Sequence, residues 1–363
     1  MRFPVFFSTV KARARRSGRV GLPRIIGVLA LAGVLASCSA VKTLYNQAPD
    51  LAYWYLDGYV DFNGEQSLQV KSGLERLQAW HRQTQLPAYA DVLRRLQDRM
   101  PGNLSPAQAC QTYADVRSRL VAVSAELEPT AAAVAVTVNA SQLRHMEKRF
   151  AKSNAEFRED FLDGSAQEQR DRRLKKALKR AEMLYGDLQD AQKAALAQAI
   201  DQSPFNATLT LQEWQRRQQD VLRTLRSIAA SAGGAAQPNQ PDETRKAVRA
   251  LIERTIRSPD AAYRNYEKAL TEQSCQGFAA LHNTTTPAQR SKAVETLRGY
   301  EQDFRILTGT RTRPERSPAP VAYCPGALLC DSPSRSAFFS ASASSGVDGW
   351  AALASDFTSA VFR

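Results

Sequence analysis

This chain of 363 residues contains three histidines and five cysteines, the residue types considered first as catalytic bases, nucleophiles or metal ligands. The densest local group is Trp80-His81-Arg82, where an imidazole stands between an indole and a guanidinium. An imidazole can act as a general base or bind a metal, but the residues nearby in sequence supply no plausible set of partners. We interpret His81 as a core or boundary histidine with Arg82 paired to an acid, and keep Trp80, His81 and Arg82 as a candidate binding surface.

Motifs of the familiar catalytic classes are missing from the sequence. It contains no HExxH, no GxSxG, no P-loop and no dinucleotide fingerprint. No two cysteines have CxxC spacing, so we predict neither a metal site nor a cofactor. The chain is interpreted as a protein without catalytic activity. An envelope enzyme with no recognisable motif remains a third hypothesis.

Cys38 follows a segment with the properties of a signal peptide. Residues 1–24 carry seven basic residues and no acid, and residues 25–35 form an uncharged apolar run. That run is shorter than the roughly 20 residues that span a bilayer, but it suits the apolar region of a leader. Leu35-Ala36-Ser37-Cys38 is similar to the bacterial lipobox, in which the thiol is diacylated and the leader is cut. We therefore predict a signal peptide over 1–37 and lipidation of Cys38.

A lipidated cysteine predicts an exported, membrane-anchored protein. Two or more acyl chains, each contributing about 0.8 kcal/mol per buried CH₂, make such an anchor effectively permanent. Ser39 follows Cys38, and by resemblance to enterobacterial lipoproteins the lack of Asp there favours the outer membrane over the inner membrane, with the chain facing the periplasm. Without the seven leader cations, 42 basic residues face 36 acidic ones, a net charge of +6 against +13 for the whole chain. A mildly positive chain is compatible with an anionic membrane surface, and this charge gives no reason to expect that the protein binds nucleic acid.

Four cysteines remain beyond the lipidation site. An even number in an oxidising compartment predicts disulfides, with three possible pairings. We favour Cys110–Cys275, with each residue inside a predicted helix, and Cys324–Cys330, which closes a local loop.

The hydrophobic pattern is helical nearly throughout the middle of the chain, and no segment alternates with period two for long. Helix starts after Ser105 and Thr286 each combine a hydroxyl cap, a proline at the first position and a glutamine at the third. Leu86-Pro87 is expected to end the helix that begins near Gly64, with a short helix following to about Met100. Four later helices are expected near 208–231, 241–257, 260–283 and 287–307.

Two side-chain patterns each allow two interpretations. The stripe of Trp54, Tyr55, Tyr59 and Phe62 is predicted to be core, with membrane-interface contact as the alternative. Residues 170–180 carry seven basic side chains. They are predicted to form a solvated face paired with acids of the preceding antiparallel helix, with contact to anionic lipid, lipopolysaccharide or another polyanion as the alternative.

We therefore predict an all-α, elongated multi-helix bundle. The expected domains are a signal peptide (1–37), a lipidated tether (38–47), a helical domain (48–308) with a flexible break over 232–241, and a mostly disordered tail rich in Pro, Ser and Ala (309–363).

One combination of motifs resembles a known family. Tyr45-Asn46, Trp54-Tyr55-Leu56-Asp57, Trp80-His81-Arg82 and Leu86-Pro87-x-Tyr89-Ala90 together are similar to domain of unknown function 6279, a proteobacterial lipoprotein family without assigned activity. The resemblance covers about residues 38–304 and is strongest over 38–98. It implies helices and a lipid anchor, and it brings no catalytic residues.

The functional expectation is a bundle that acts by binding. The first hypothesis is an envelope scaffold or adaptor, held on the membrane by its lipid and contacting another envelope protein. The second is a holdase-like periplasmic chaperone, because the helix starts at 104–108 and 286–290 look like segments of small helical stress chaperones. The oligomeric state is left open.

Overall fold

The computed structural model describes residues 41–232 and 240–309. Within these ranges the chain is helical and forms no strand, so the predicted all-α class is confirmed. A helical segment over residues 41–46 precedes ten longer helices in the described part of the chain. These are α1 (Ala48–Val60), α2 (Gly64–Arg99), α3 (Pro106–Ala135), α4 (Ala140–Phe161), α5 (Ala166–Tyr185), α6 (Asp190–Asp201), α7 (Ala207–Ala232), α8 (Gln240–Ile256), α9 (Ala261–Asn283) and α10 (Pro287–Leu307).

Capping side chains explain where several helices begin. Ser105 accepts a hydrogen bond from the backbone N–H of Gln108, whose side chain accepts one in return from the N–H of Ser105. Thr286 and Gln289 form the same box at α10, as both helix starts were predicted to do. Such a cap contributes about 1 kcal/mol.

The helices pack around several hydrophobic cores, and the two largest lie along α2. The first core joins α1, the start of α2, the end of α3, α4 and α7, and includes Tyr59, Leu74 and Phe150. The second core joins the end of α2, α5, α6, α9 and α10, and includes Met100 and Tyr185. With 36 residues, α2 is about 54 Å long and reaches both cores. The predicted elongated bundle follows from this arrangement.

The predicted break at Leu86-Pro87 is wrong, because α2 continues through Pro87 to Arg99. A proline inside a helix removes one backbone hydrogen bond and costs about 3 kcal/mol in an isolated helix. Here the flanking side chains offset that cost. Leu86 and Ala90 are fully buried against Phe304 and the rest of α10.

The helical domain begins earlier than predicted. Residues 41–46 are helical and Val41 is buried against α2 and α10, so residues that were assigned to the tether belong to the folded bundle. Because residues 41–46 are folded, the segment 38–47 is not a free tether over its whole length. The predictions for 1–37, Cys38, Cys324, Cys330 and the tail beyond 309 lie outside the described residues. So does most of the predicted break at 232–241.

The structure confirms the predicted bond between Cys110 and Cys275. It joins the second turn of α3 to the second half of α9, with the two Cα atoms 5.4 Å apart and a sequence separation of 165. Closing so long a loop restricts the unfolded chain, which stabilises the folded state by several kcal/mol in the chain-entropy model.

Replacing both Cys110 and Cys275 by alanine should lower the free energy of unfolding by about 2–5 kcal/mol. Urea unfolding of the oxidised wild type and of the double variant measures the difference. Cys324 and Cys330 are present in both proteins, so they cancel in the comparison. Equal unfolding midpoints would show that this bond does not stabilise the bundle.

A close approach between α2 and α3 gives a second test. A Cβ atom on Gly73 would overlap the side chain of Thr130, including its Cβ, whereas a Cβ on Gly299 of α10 meets nothing within 4 Å. Gly73→Ala should therefore destabilise the fold by about 1–3 kcal/mol. Gly299→Ala should stabilise it by about 0.5–1 kcal/mol through helix propensity. Thermal unfolding of both variants measures the effect, and two shifts of the same sign would contradict the packing described.

Candidate functional site

Motif residues that lie far apart in sequence meet around His81. The hydroxyl of Tyr45 lies 3.0 Å from Nδ1 of His81, and the ring of Tyr89 lies 5.9 Å from the imidazole between ring centres. Trp80 and Arg82 flank His81 on α2. We call Tyr45, Trp80, His81, Arg82 and Tyr89 the His81 cluster. It joins the segment over 41–46 to the middle of α2.

Arg82 does not pair with an acid in the described part of the chain, so that prediction is wrong. Its guanidinium donates to the side-chain oxygen of Asn46 at 2.9 Å and lies over the ring of Tyr45, 5.5 Å from the ring centre. Gln78 adds a hydrogen bond of 2.6 Å from its side-chain amide to the backbone carbonyl of Tyr45. These contacts hold the 41–46 segment on α2.

Burial keeps the titratable groups of the cluster neutral. It lowers the pKa of His81 to about 4 and raises the pKa of Tyr89 to about 12. Burial also raises the pKa of Tyr45 to about 12, against the opposing charge of Arg82. The Tyr45 hydroxyl can therefore donate to Nδ1 of a neutral imidazole at pH 7. The arrangement positions a chain segment, and its one full charge at that pH is Arg82.

His282 has a comparable role in the second core. It is fully buried, its Nδ1 lies 2.9 Å from the hydroxyl of Tyr185, and its Nε2 lies 2.8 Å from the carbonyl oxygen of Gly102. Since a carbonyl only accepts, Nε2 carries the proton and Nδ1 accepts from Tyr185. Burial lowers the pKa of His282. Sequence reasoning singled out no partner for it, because these residues are far apart in the chain.

The basic run over 170–180 occupies α5, and part of its predicted pairing is confirmed. Lys176 Nζ lies 3.2 Å from a carboxylate oxygen of Asp160 on α4. Arg170 makes two hydrogen bonds to Asp201 at the end of α6, a partner that the sequence did not suggest. Internal acids therefore neutralise part of this charge.

The predicted aromatic stripe is core at three of its four positions. Tyr59 is buried, and Tyr55 and Phe62 pack against the first core. Trp54 is 76% exposed, so its assignment to the core is wrong.

An open groove that sequence reasoning missed lies between α3 and α9. Its volume is about 660 Å³, and its walls include Tyr113 and Val121 of α3, both partly exposed. The end of α8 contributes Ile256 and Arg257, and α9 contributes Lys268. The available signal was the spacing of Tyr113, Arg117 and Val121, four residues apart on one helical face.

Residues 41–232 and 240–309 contain neither a candidate metal site nor a candidate membrane span. No group of three or more His, Cys, Asp or Glu side chains there could hold a metal ion. No helix in these ranges is long and apolar enough to cross a bilayer.

Comparison with known proteins finds one family that is similar to part of the chain. Residues 58–233 match the sequence profile of a family of unknown function (DUF6279). The chain is similar to this family over that segment. The segment contains Trp80, His81, Arg82 and Tyr89, so the resemblance based on these motifs is confirmed, while the docking residue Tyr45 precedes the match. No curated protein and no solved structure matches the chain.

The partly buried His81 predicts a specific pH dependence of stability. The folded-state pKa of His81 is about 4, below its ordinary value of 6.5, so folding favours the neutral imidazole. The resulting stability is complete above pH 6.5 and is lost as the pH falls towards 4, by up to about 3 kcal/mol. Urea unfolding at several pH values should show a steeper loss in this window for the wild type than for His81→Gln.

The control is Tyr45→Phe, which keeps the imidazole and should keep the slope. Ion pairs contribute to stability in a lower pH range. The hydrogen bonds and charge of Arg249 lower the pKa of Glu128, so the stability that this ion pair contributes is lost only below about pH 4.5. Identical slopes for wild type and His81→Gln would show that His81 is not buried as a neutral group.

Proposed function

We propose that the protein is a lipoprotein anchored at Cys38 in the outer membrane, faces the periplasm, and acts by binding as an envelope scaffold or adaptor for another envelope protein. The observation that supports this most is the docking of residues 41–46 on the bundle through the His81 cluster. The family match leaves this function open, since that family has none assigned.

The docked segment determines how far the bundle can lie from the anchor. Val41 is the third residue after Cys38, so the chain between their Cα atoms spans at most about 11 Å. Val41 is held against Phe304 and Leu307 of α10, and Lys42 lies 3.7 Å from Asp303. An acyl group on Cys38 would therefore hold the whole bundle near the membrane in a narrow range of positions. A fixed position suits a scaffold that presents one surface to a partner.

The groove between α3 and α9 is the best candidate for that surface. Four cations and two acids line it: Arg117, Arg257, Arg264, Lys268, Glu267 and Glu272. Arg117 is engaged by the carbonyl of Ile256 and by Glu267. Arg257 is exposed, and no ion pair of its side chain occurs in the described residues. Combined with Tyr113 and Val121, this charge balance fits a partner segment that carries acidic and apolar side chains.

In-cell crosslinking with affinity purification tests this function. We expect one dominant envelope protein to be recovered with the wild type, and recovery to fall about tenfold, equivalent to about 1.4 kcal/mol, with Arg257→Glu. Cys38→Ala should also lose the partner, because the bundle leaves the membrane. The matched control is Lys175→Glu, an exposed lysine of α5 outside the groove, which should leave recovery unchanged.

Two results would contradict the adaptor. A diffuse set of unrelated unfolded proteins, recovered with or without the anchor, would favour the holdase-like chaperone instead. One partner recovered equally with Arg257→Glu would exclude the groove as the binding surface.

A further inference from the structure

One face of the α1–α2 hairpin exposes large apolar side chains to solvent. Trp54 is 76% exposed, Leu68 is 73% exposed and Leu51 is 45% exposed. Side chains of this size are normally buried or covered by a partner when they are grouped.

The three side chains lie on the same side of the hairpin. Leu51 and Trp54 are three residues apart on α1 and share a face. Tyr53 donates a hydrogen bond of 2.9 Å to Ser67, so these two residues face each other across antiparallel helices. In an antiparallel pair of helices, the residues that follow two facing positions both point to the same side of the pair. Trp54 follows Tyr53 and Leu68 follows Ser67, so Trp54 and Leu68 lie on the same side of the hairpin. We call Leu51, Trp54 and Leu68 the hairpin apolar face.

This face continues the helical line that is described from Val41, three residues after the predicted anchor. The N–H of Gln47 donates to the carbonyl of Thr43, and the N–H of Leu51 donates to that of Gln47, so the 41–46 segment runs into α1 without losing helical register. Thr43 and Gln47 are exposed and uncharged, and they precede Leu51 and Trp54 at helical spacing.

We propose that the hairpin apolar face lies on a zwitterionic phospholipid surface and inserts Trp54 at the headgroup level. The proposal rests on the proposed function, because the anchor at Cys38 brings this helix to the membrane. An amphipathic helix that begins beside a lipid anchor is well placed to lie in the plane of the interface, where tryptophan is enriched.

The charges near the face select the kind of lipid. Asp50, Asp61 and Glu65 are exposed beside it, whereas Lys71 is engaged over the ring of Tyr53, 4.4 Å from the ring centre. Carboxylates are repelled by anionic headgroups and tolerated by zwitterionic ones.

A second copy of the chain fits the face less well. Three side chains offer a few hundred Å² at most, while each partner in a stable complex buries about 800 Å². The face is therefore too small to support a dimer, but sufficient to orient a protein that is already anchored.

Fluorescence quenching in vesicles tests the proposal. The mature acylated protein, from Cys38 onward, is reconstituted into zwitterionic vesicles whose acyl chains carry bromine, and flotation separates bound from free protein. We expect bromine to quench the tryptophan fluorescence of the wild type, and Trp54→Phe to lose most of that quenching. Trp80→Phe is the matched control and should retain it, since Trp80 lies in the His81 cluster. Replacing the lipid with an anionic one should weaken the quenching.

Flotation and quenching together distinguish a failure of the proposed anchor from a failure of the proposed lipid contact. Protein that floats but shows the same weak quenching with and without Trp54 overturns the lipid contact while the anchor stands. Crosslinking of Cys introduced at Leu68 then distinguishes a second copy or a protein partner as the actual occupant. Protein that does not float overturns both the anchor and the lipid surface.

Discussion

The bundle depends on buried glutamines at the starts of its helices. Each accepts a hydrogen bond from a backbone N–H at the start of its own helix, and its side chain also bonds to a glutamine at the start of a second helix. Gln66 and Gln142 each close a capping box with Oε1 at the start of their own helix, and their side-chain amides also bond to each other. Gln192 and Gln289 repeat this arrangement at the starts of α6 and α10, and Gln289 donates to Gln192 at 3.3 Å. Loss of one such side chain would leave a buried partner without its hydrogen bond, which costs about 1–3 kcal/mol. Paired helix starts therefore fix the register of their helices, which apolar packing alone would leave free to slide.

With the helix starts fixed, α2 can serve as the common support of both cores and of the N-terminal segment. Its uninterrupted course through Pro87 places His81 and Tyr89 on the surface that receives Tyr45. A helix that ended at Leu86, as the sequence suggested, would have separated these two residues. The cost of the internal proline is thus offset by contacts with α10, and the continuity that results is what allows the segment following Cys38 to dock.

The sequence predicted the features that depend on neighbours in the chain. The bounds of α10 match the expectation of 287–307, because the cap at Thr286 is a local interaction. The disulfide followed from cysteine number and from helical positions. Three features depend on contacts between distant residues and were missed: the helix through Pro87, the exposure of Trp54, and the pairing of Arg82 with Asn46. The groove was missed for the same reason, because its charge balance arises only when α3, α8 and α9 come together.

The Cys110–Cys275 disulfide joins the same two helices, α3 and α9, that form the walls of the groove. Tyr113 lies one helical turn after Cys110, and Thr271 and Glu272 lie one turn before Cys275, so the bond joins α3 and α9 about one turn beyond the end of the groove. Helices joined at one end by a covalent bond have few ways to separate, which reduces the entropy that a bound segment would otherwise lose. An oxidising compartment is needed to keep the bond formed. The Cys110–Cys275 bond is therefore in keeping with the periplasmic location that we propose.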